Sequence, residues 1–116
     1  MPGCVLRATS HSFSPVDFLS QFPVLNASHR GNSLNVRVSD NDGDCLPAQV
    51  EDALTFLRAH RSLILALCAA ADGATLDFGL WRKDTFSQSA RLPPELVAAA
   101  GELGLGLEVS IYDAAP

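Results

Sequence analysis

The sequence predicts an α+β two-layer sandwich, a mostly antiparallel sheet of about four strands with its helices on one face. Segments of two-residue apolar period interleave with segments of helical period, in the order β-α-β-α-α-β-α-β. Each strand segment carries polar residues at alternate positions, so each has one face to bury and one to leave open. A doubly wound sheet with helices on both faces is the competing layout. It calls for central strands that are apolar throughout, and none of these is.

Cys4 to Thr9 reads as the first strand. Ser14-Pro15-Val16-Asp17 supplies a capping hydroxyl, a proline at the first helical position and an acid in the first turn. A short helix is therefore expected through Gln21, stopping before Pro23. Asn26 to Asn32, rich in Asn, Ser and Gly, reads as a loop. Leu34 to Val38 alternates strictly and predicts a half-buried strand with Leu34, Val36 and Val38 inward. Asp40 to Asp44 forms the turn after it.

Pro47 to His60 is the clearest helix. Val50, Ala53, Leu54 and Leu57 share one stripe, while Glu51, Asp52, Thr55 and Arg58 fall off it. Ser62 is a candidate cap for a second helix, Leu63 to Ala71, which Gly73 ends. Thr75 to Arg82 is the next strand. Lys83 to Arg91 is a polar excursion, a loop or an irregular edge strand, with Phe86 as its one anchor. Pro94 to Leu103 is a helix closed by Gly104, and Leu105 to Tyr112 is the last strand. Its Leu105, Leu107, Val109 and Ile111 lie on one side. The open sheet face then carries Arg7, Asn35, Arg37, Asp77, Trp81, Glu108, Ser110 and Tyr112.

Composition narrows the function classes. A chain of 116 residues is read as one domain, residues 1–116, able to bury roughly 65% of its unfolded surface. Hydrophobic residues make up 47% and charged ones 18%, which excludes a disordered chain. Thirteen acids against eight bases argue against nonspecific nucleic-acid binding, which runs on positive potential. Cys4, Cys45 and Cys68 are odd in number and lack CxxC spacing, as expected in a reducing compartment. No signal peptide is read at the N-terminus, and the apolar run from Leu63 to Ala71 is too short to span a bilayer. A cytoplasmic location, with no membrane partner, is the expectation.

Asp40, Asp42 and Asp44 around Gly43 invite a calcium loop. The glycine stands at the fourth position instead of the sixth, which breaks that geometry. An acidic turn that also caps the Pro47 helix is the plainer expectation. With Glu51 and Asp52 these acids make one negative patch without a base among them, suited to a basic partner. Asp77 lies mid-strand between two apolar residues and projects to the open face. It serves there either as a binding or catalytic acid beside Trp81 and Glu108, or structurally, in a cross-strand ion pair with Arg37 or Arg7 or a hydrogen bond into a loop. Trp81 and Tyr112 form an aromatic pair of the kind that anchors interfaces, if they do not simply pack at the sheet rim. His11, His29 and His60 show no ligand spacing, so neither a metal nor another cofactor is expected. The glycines from Gly101 to Gly106 lack both the P-loop lysine and the dinucleotide arrangement.

Ser39-Asp40, then Gln49, Ala53, Phe56 and Leu57, Leu76-Asp77-Phe78-Gly79, Leu92-Pro93-Pro94-Glu95-Leu96, and Leu107-Glu108 with Ser110 and Tyr112 form a recurring set. In these the chain resembles a family of small bacterial proteins of unknown function, over about Cys4 to Tyr112. By analogy the resemblance is to immunity-like and accessory proteins, and it implies no catalytic residues. The expected function is thus a small, non-catalytic protein-binding module. Its partner is expected to be another protein, such as a toxin or a second copy of the chain. Arg37, Asp77, Trp81, Glu108 and Tyr112 form one candidate surface; Asp40, Asp42 and Asp44 form the other. A small hydrolase-like or ligand-binding enzyme using Asp77 and Glu108, and a homodimerising structural protein, stand as alternatives.

Overall fold

A computed structural model describes residues 2–24 and 26–113. The order is β1 (Cys4–Thr9), α1 (Pro15–Gln21), β2 (Ala27–Arg30), β3 (Ser33–Ser39), α2 (Leu46–Ala59), α3 (Arg61–Ala70), β4 (Ala74–Trp81), α4 (Pro94–Leu103) and β5 (Leu105–Tyr112). The fold is α+β. Its mixed sheet has five strands in the order β2-β3-β1-β4-β5, with β4 and β5 parallel and the other neighbours antiparallel.

The fifth strand corrects the expected loop at Asn26 to Asn32. β2 is only four residues long and largely exposed, so it has no apolar alternation to read. Its signal was the Gly31-Asn32 pair, which turns the chain back so that Arg30 faces Ser33. Gly31 takes φ 58°, the left-handed region that a tight hairpin turn demands.

Local chemistry explains the other boundaries. The Ser14 hydroxyl accepts the Asp17 N–H at 3.3 Å and opens α1. Gly104, at φ 80°, closes α4 and feeds β5 directly. Two caps differ from expectation. α2 starts at Leu46 behind Cys45, with no side-chain cap, because the preceding acids are engaged elsewhere. α3 starts at Arg61 behind His60, not at Leu63 behind Ser62, since the chain bends by 87° at one shared residue. No single helix among the described residues is long and apolar enough to cross a membrane.

The core lies between sheet and helices. Leu6, Leu34, Val36, Leu76 and Phe78 from the strands meet Val50, Ala53, Leu54 and Leu57 of α2, Ile64 and Leu67 of α3, and Leu96 and Ala100 of α4 in one buried cluster. α1 closes one end with Phe18, whose ring lies 5.9 Å from that of Phe13. All four helices pack on this one face, so the alternate residues of each strand face away from the core.

Candidate functional site

Strand register decides which side chains share the open face. Residues directly opposite on neighbouring strands point the same way, so Arg37, Val5, Asp77 and Glu108 form one row across β3, β1, β4 and β5. Asn35, Arg7 and Thr75 form the next row, and Trp81 stands beside Tyr112 at the end of the parallel pair.

Arg7 organises this face. Its guanidinium reaches Asp77 Oδ2 at 3.1 Å, Glu108 Oε1 at 3.5 Å and Asn35 Oδ1 at 3.3 Å. One cation on β1 thereby ties together β3, β4 and β5. The Ser110 hydroxyl lies 2.8 Å from each Asp77 oxygen and donates to that carboxylate. Asp77 is only 4% exposed although it belongs to the open face, because these neighbours cover it. A carboxylate buried to that degree needs both charge and hydrogen-bond partners, and it has them. The cross-strand ion pair weighed for Asp77 is present, with Arg7 as the partner. Glu108 remains about half exposed.

A second polar cluster holds the β3–α2 turn. The Ser39 hydroxyl and the Asn41 amide both donate to Asp52 Oδ2, each at 2.7 Å. Gln49, fully buried, directs its amide nitrogen at three carbonyls: Asn41 at 3.1 Å, Asp42 at 3.0 Å and Gly79 at 2.9 Å. It pins the turn and β4 to α2. Its Oε1 has no partner among the described residues. Asp42 Oδ1 accepts from the Gly43 N–H and from the Trp81 indole N–H, both at 2.7 Å. Gly43 is required here, since a Cβ would lie 2.7 Å from the Trp81 backbone nitrogen. The Trp81 ring is therefore held by the turn.

The acids of that turn have local partners, contrary to a patch without bases. Asp40 pairs with Arg37 at 3.6 Å and Asp44 with Lys83 at 3.7 Å, while Asp42 and Asp52 are turned to neighbouring donors. Glu51 stays exposed. The turn does not cap α2 as expected. Among the described residues no group of acidic, histidine or cysteine side chains is arranged to hold a metal ion.

The segment after β4 also departs from expectation. Phe86 is fully exposed and anchors nothing. Gln88 holds the segment instead, donating to the Trp81 carbonyl at 2.8 Å and accepting the Lys83 N–H at 3.0 Å. The segment walls a groove of about 420 Å³ with the start of α2, lined by Leu46, Pro47, Val50, Ala90 and Pro93. Neither Asp77 nor Glu108 lines that groove. Cys4, buried beneath the sheet, has its thiol pushed up to about 12 by desolvation, then by the negative charges of Asp77 and Asp52, against a smaller pull from Arg37. It is held as a thiol and packs as an apolar group.

Ser39, Gln49 and Ser110 were not singled out as site residues from sequence. Gln49 was the most legible of them, lying four positions before Ala53 on the apolar stripe of α2. Compared with known proteins, the chain matches no family model, no curated protein and no solved structure.

Proposed function

We propose that this chain is a small, non-catalytic protein-binding module, immunity-like or accessory in character, that grips another protein with its open sheet face. One observation carries the reading: Arg7 ties Asp77, Glu108 and Asn35 into a single ordered array on a face that no helix covers. Charged and aromatic side chains already fixed in place lose little freedom on binding. Trp81, held by Asp42, and Tyr112, 45% exposed, add aromatic surface at one end of the array. A cytoplasmic setting is part of the proposal, supported by three free cysteines, of which Cys45 is exposed. The hydrolase-like alternative draws less support. Both Asp77 oxygens are engaged, the two carboxylates share one guanidinium, and the small hollow of about 170 Å³ that Glu108 lines with Arg7 and Thr75 is not lined by Asp77.

The test is affinity capture from native cells, followed by titration of the purified partner. Glu108→Arg and Tyr112→Ala variants with wild-type circular dichroism are expected to lose at least about tenfold in affinity, or roughly 1.4 kcal/mol. A partner bound equally by both variants would refute this surface.

A further inference from the structure

The two edges of the sheet are built differently. β2 is four residues long, exposed, and ends in His29 and Arg30. Short and basic edges of this kind resist pairing with another chain. β5 is eight residues long, and Glu108 is its one charge. Its inner edge is spent on β4: the Arg82 N–H donates to the Tyr112 carbonyl at 2.7 Å, in register with Trp81 beside Tyr112. In a parallel ladder, alternate residues turn both backbone groups toward the same neighbour. The even-numbered residues of β5 therefore face β4, and Leu107, Val109 and Ile111 present their N–H and C=O groups to the outside.

The side chains at these positions carry the same message. Leu105 is buried under α4, Leu107 and Val109 are half-buried, and Ile111 is 39% exposed. The helical cover thins out along the strand while the apolar pattern continues.

We propose that two copies of this chain join edge to edge through β5, antiparallel about a two-fold axis at Val109, into one continuous sheet. The strand is complementary to itself in that register. Val109 meets Val109 of the second copy, and Leu107 meets Ile111, so outward-facing residues pair with outward-facing residues and exchange both backbone hydrogen bonds. The apolar side chains of the two copies then meet on the helical side. On the open side Glu108 falls opposite Ser110. Of the two neighbouring registers, the one centred on Glu108 sets Glu108 against Glu108, a like-charge pair that disfavours it, and the one centred on Ser110 sets Leu107 against Asp113 and loses an apolar pair. Each Glu108 also retains its own Arg7 at 3.5 Å, so no bare carboxylate enters the seam. A two-fold axis perpendicular to the sheet keeps both helical layers on one side. The two open faces become one surface, with their arrays side by side.

The experiment is sedimentation velocity on the purified full chain over a concentration series into the high micromolar range. The wild type is expected to move from 12.3 kDa toward twice that mass. Val109→Pro removes an outward N–H and leaves the β4 ladder intact, so it should stay monomeric with unchanged circular dichroism. Ile111→Lys should also stay monomeric, while Val97→Lys on exposed α4 should dimerise like the wild type. A wild type that remains at one chain mass overturns the proposal. So does a dimer that survives both β5 substitutions.

Discussion

β4 has two sides that obey different rules. Leu76 and Phe78 point into the helical layer, fully buried, and are held by the shape of everything around them. Asp77, between them, is nearly as buried but is held by two named partners, Arg7 and Ser110. Volume specifies the first side and directed bonds specify the second. A substitution on the core side should therefore unfold the protein. One on the open side should leave the fold standing and alter what the face can do.

The largest expected effect lies on the core side. Phe78→Ala should cost about 3–5 kcal/mol, read from the denaturant midpoint, a large part of a domain's usual reserve. Gln49→Leu comes next, because it sharpens the contrast: Gln49 is a polar clamp within the helical side. Removing its donor strands the Asn41, Asp42 and Gly79 carbonyls, and the expected cost is about 1–3 kcal/mol by chemical denaturation. On the open side, Arg7→Met leaves Asp77 with Ser110 alone. Since Arg7 is 43% exposed and its charge is partly screened, about 1–2 kcal/mol is expected. Asp77→Asn added to Arg7→Met should recover part of that loss, and a double-mutant cycle measures the coupling. Strictly additive losses would break the account of the array.

The smallest effect needs alkaline pH. The Cys4 thiol ionises near 12 in the fold against 9.0 ordinarily, so above 9 the unfolded chain has released a proton that the folded one keeps. Stability from this group is fully present below pH 9 and is lost as pH rises toward 12, by up to about 1.4 kcal/mol per pH unit. Comparing the wild type with Cys4→Ala in urea at pH 8 and pH 10 isolates the thiol's contribution. Equal slopes in the two proteins would show that burial does not hold the thiol protonated.

Most of the frame was legible because it rests on period and punctuation. Pro94 and Gly104 bracket α4, and the alternation from Leu105 to Tyr112 delimits β5, both as read from the residues. β2 was hidden because a short, solvent-facing edge strand has no apolar face to betray it. The open face was readable as a set of side chains, but its bonds were not. Whether Asp77 met Arg7 or Arg37 depended on strand order, which brings Arg7 within 3.1 Å. The acidic turn misled for a related reason. Arg37 stands only three residues before Asp40, just outside the run of acids, while Lys83 is distant in sequence from Asp44 and arrives only through the fold.

The most direct test of the central claim places a photoreactive amino acid at single positions in the cell. Glu108 and Tyr112 sample the open face, while Leu65 and Val97 sample exposed points on the helical layer. Binding through the open face predicts an adduct with a second protein from Glu108 and Tyr112, distinct in mass from the dimer adduct that the same β5 positions give. None is expected from Leu65 or Val97. Adducts confined to the helical positions, or an open face that captures nothing, would contradict it.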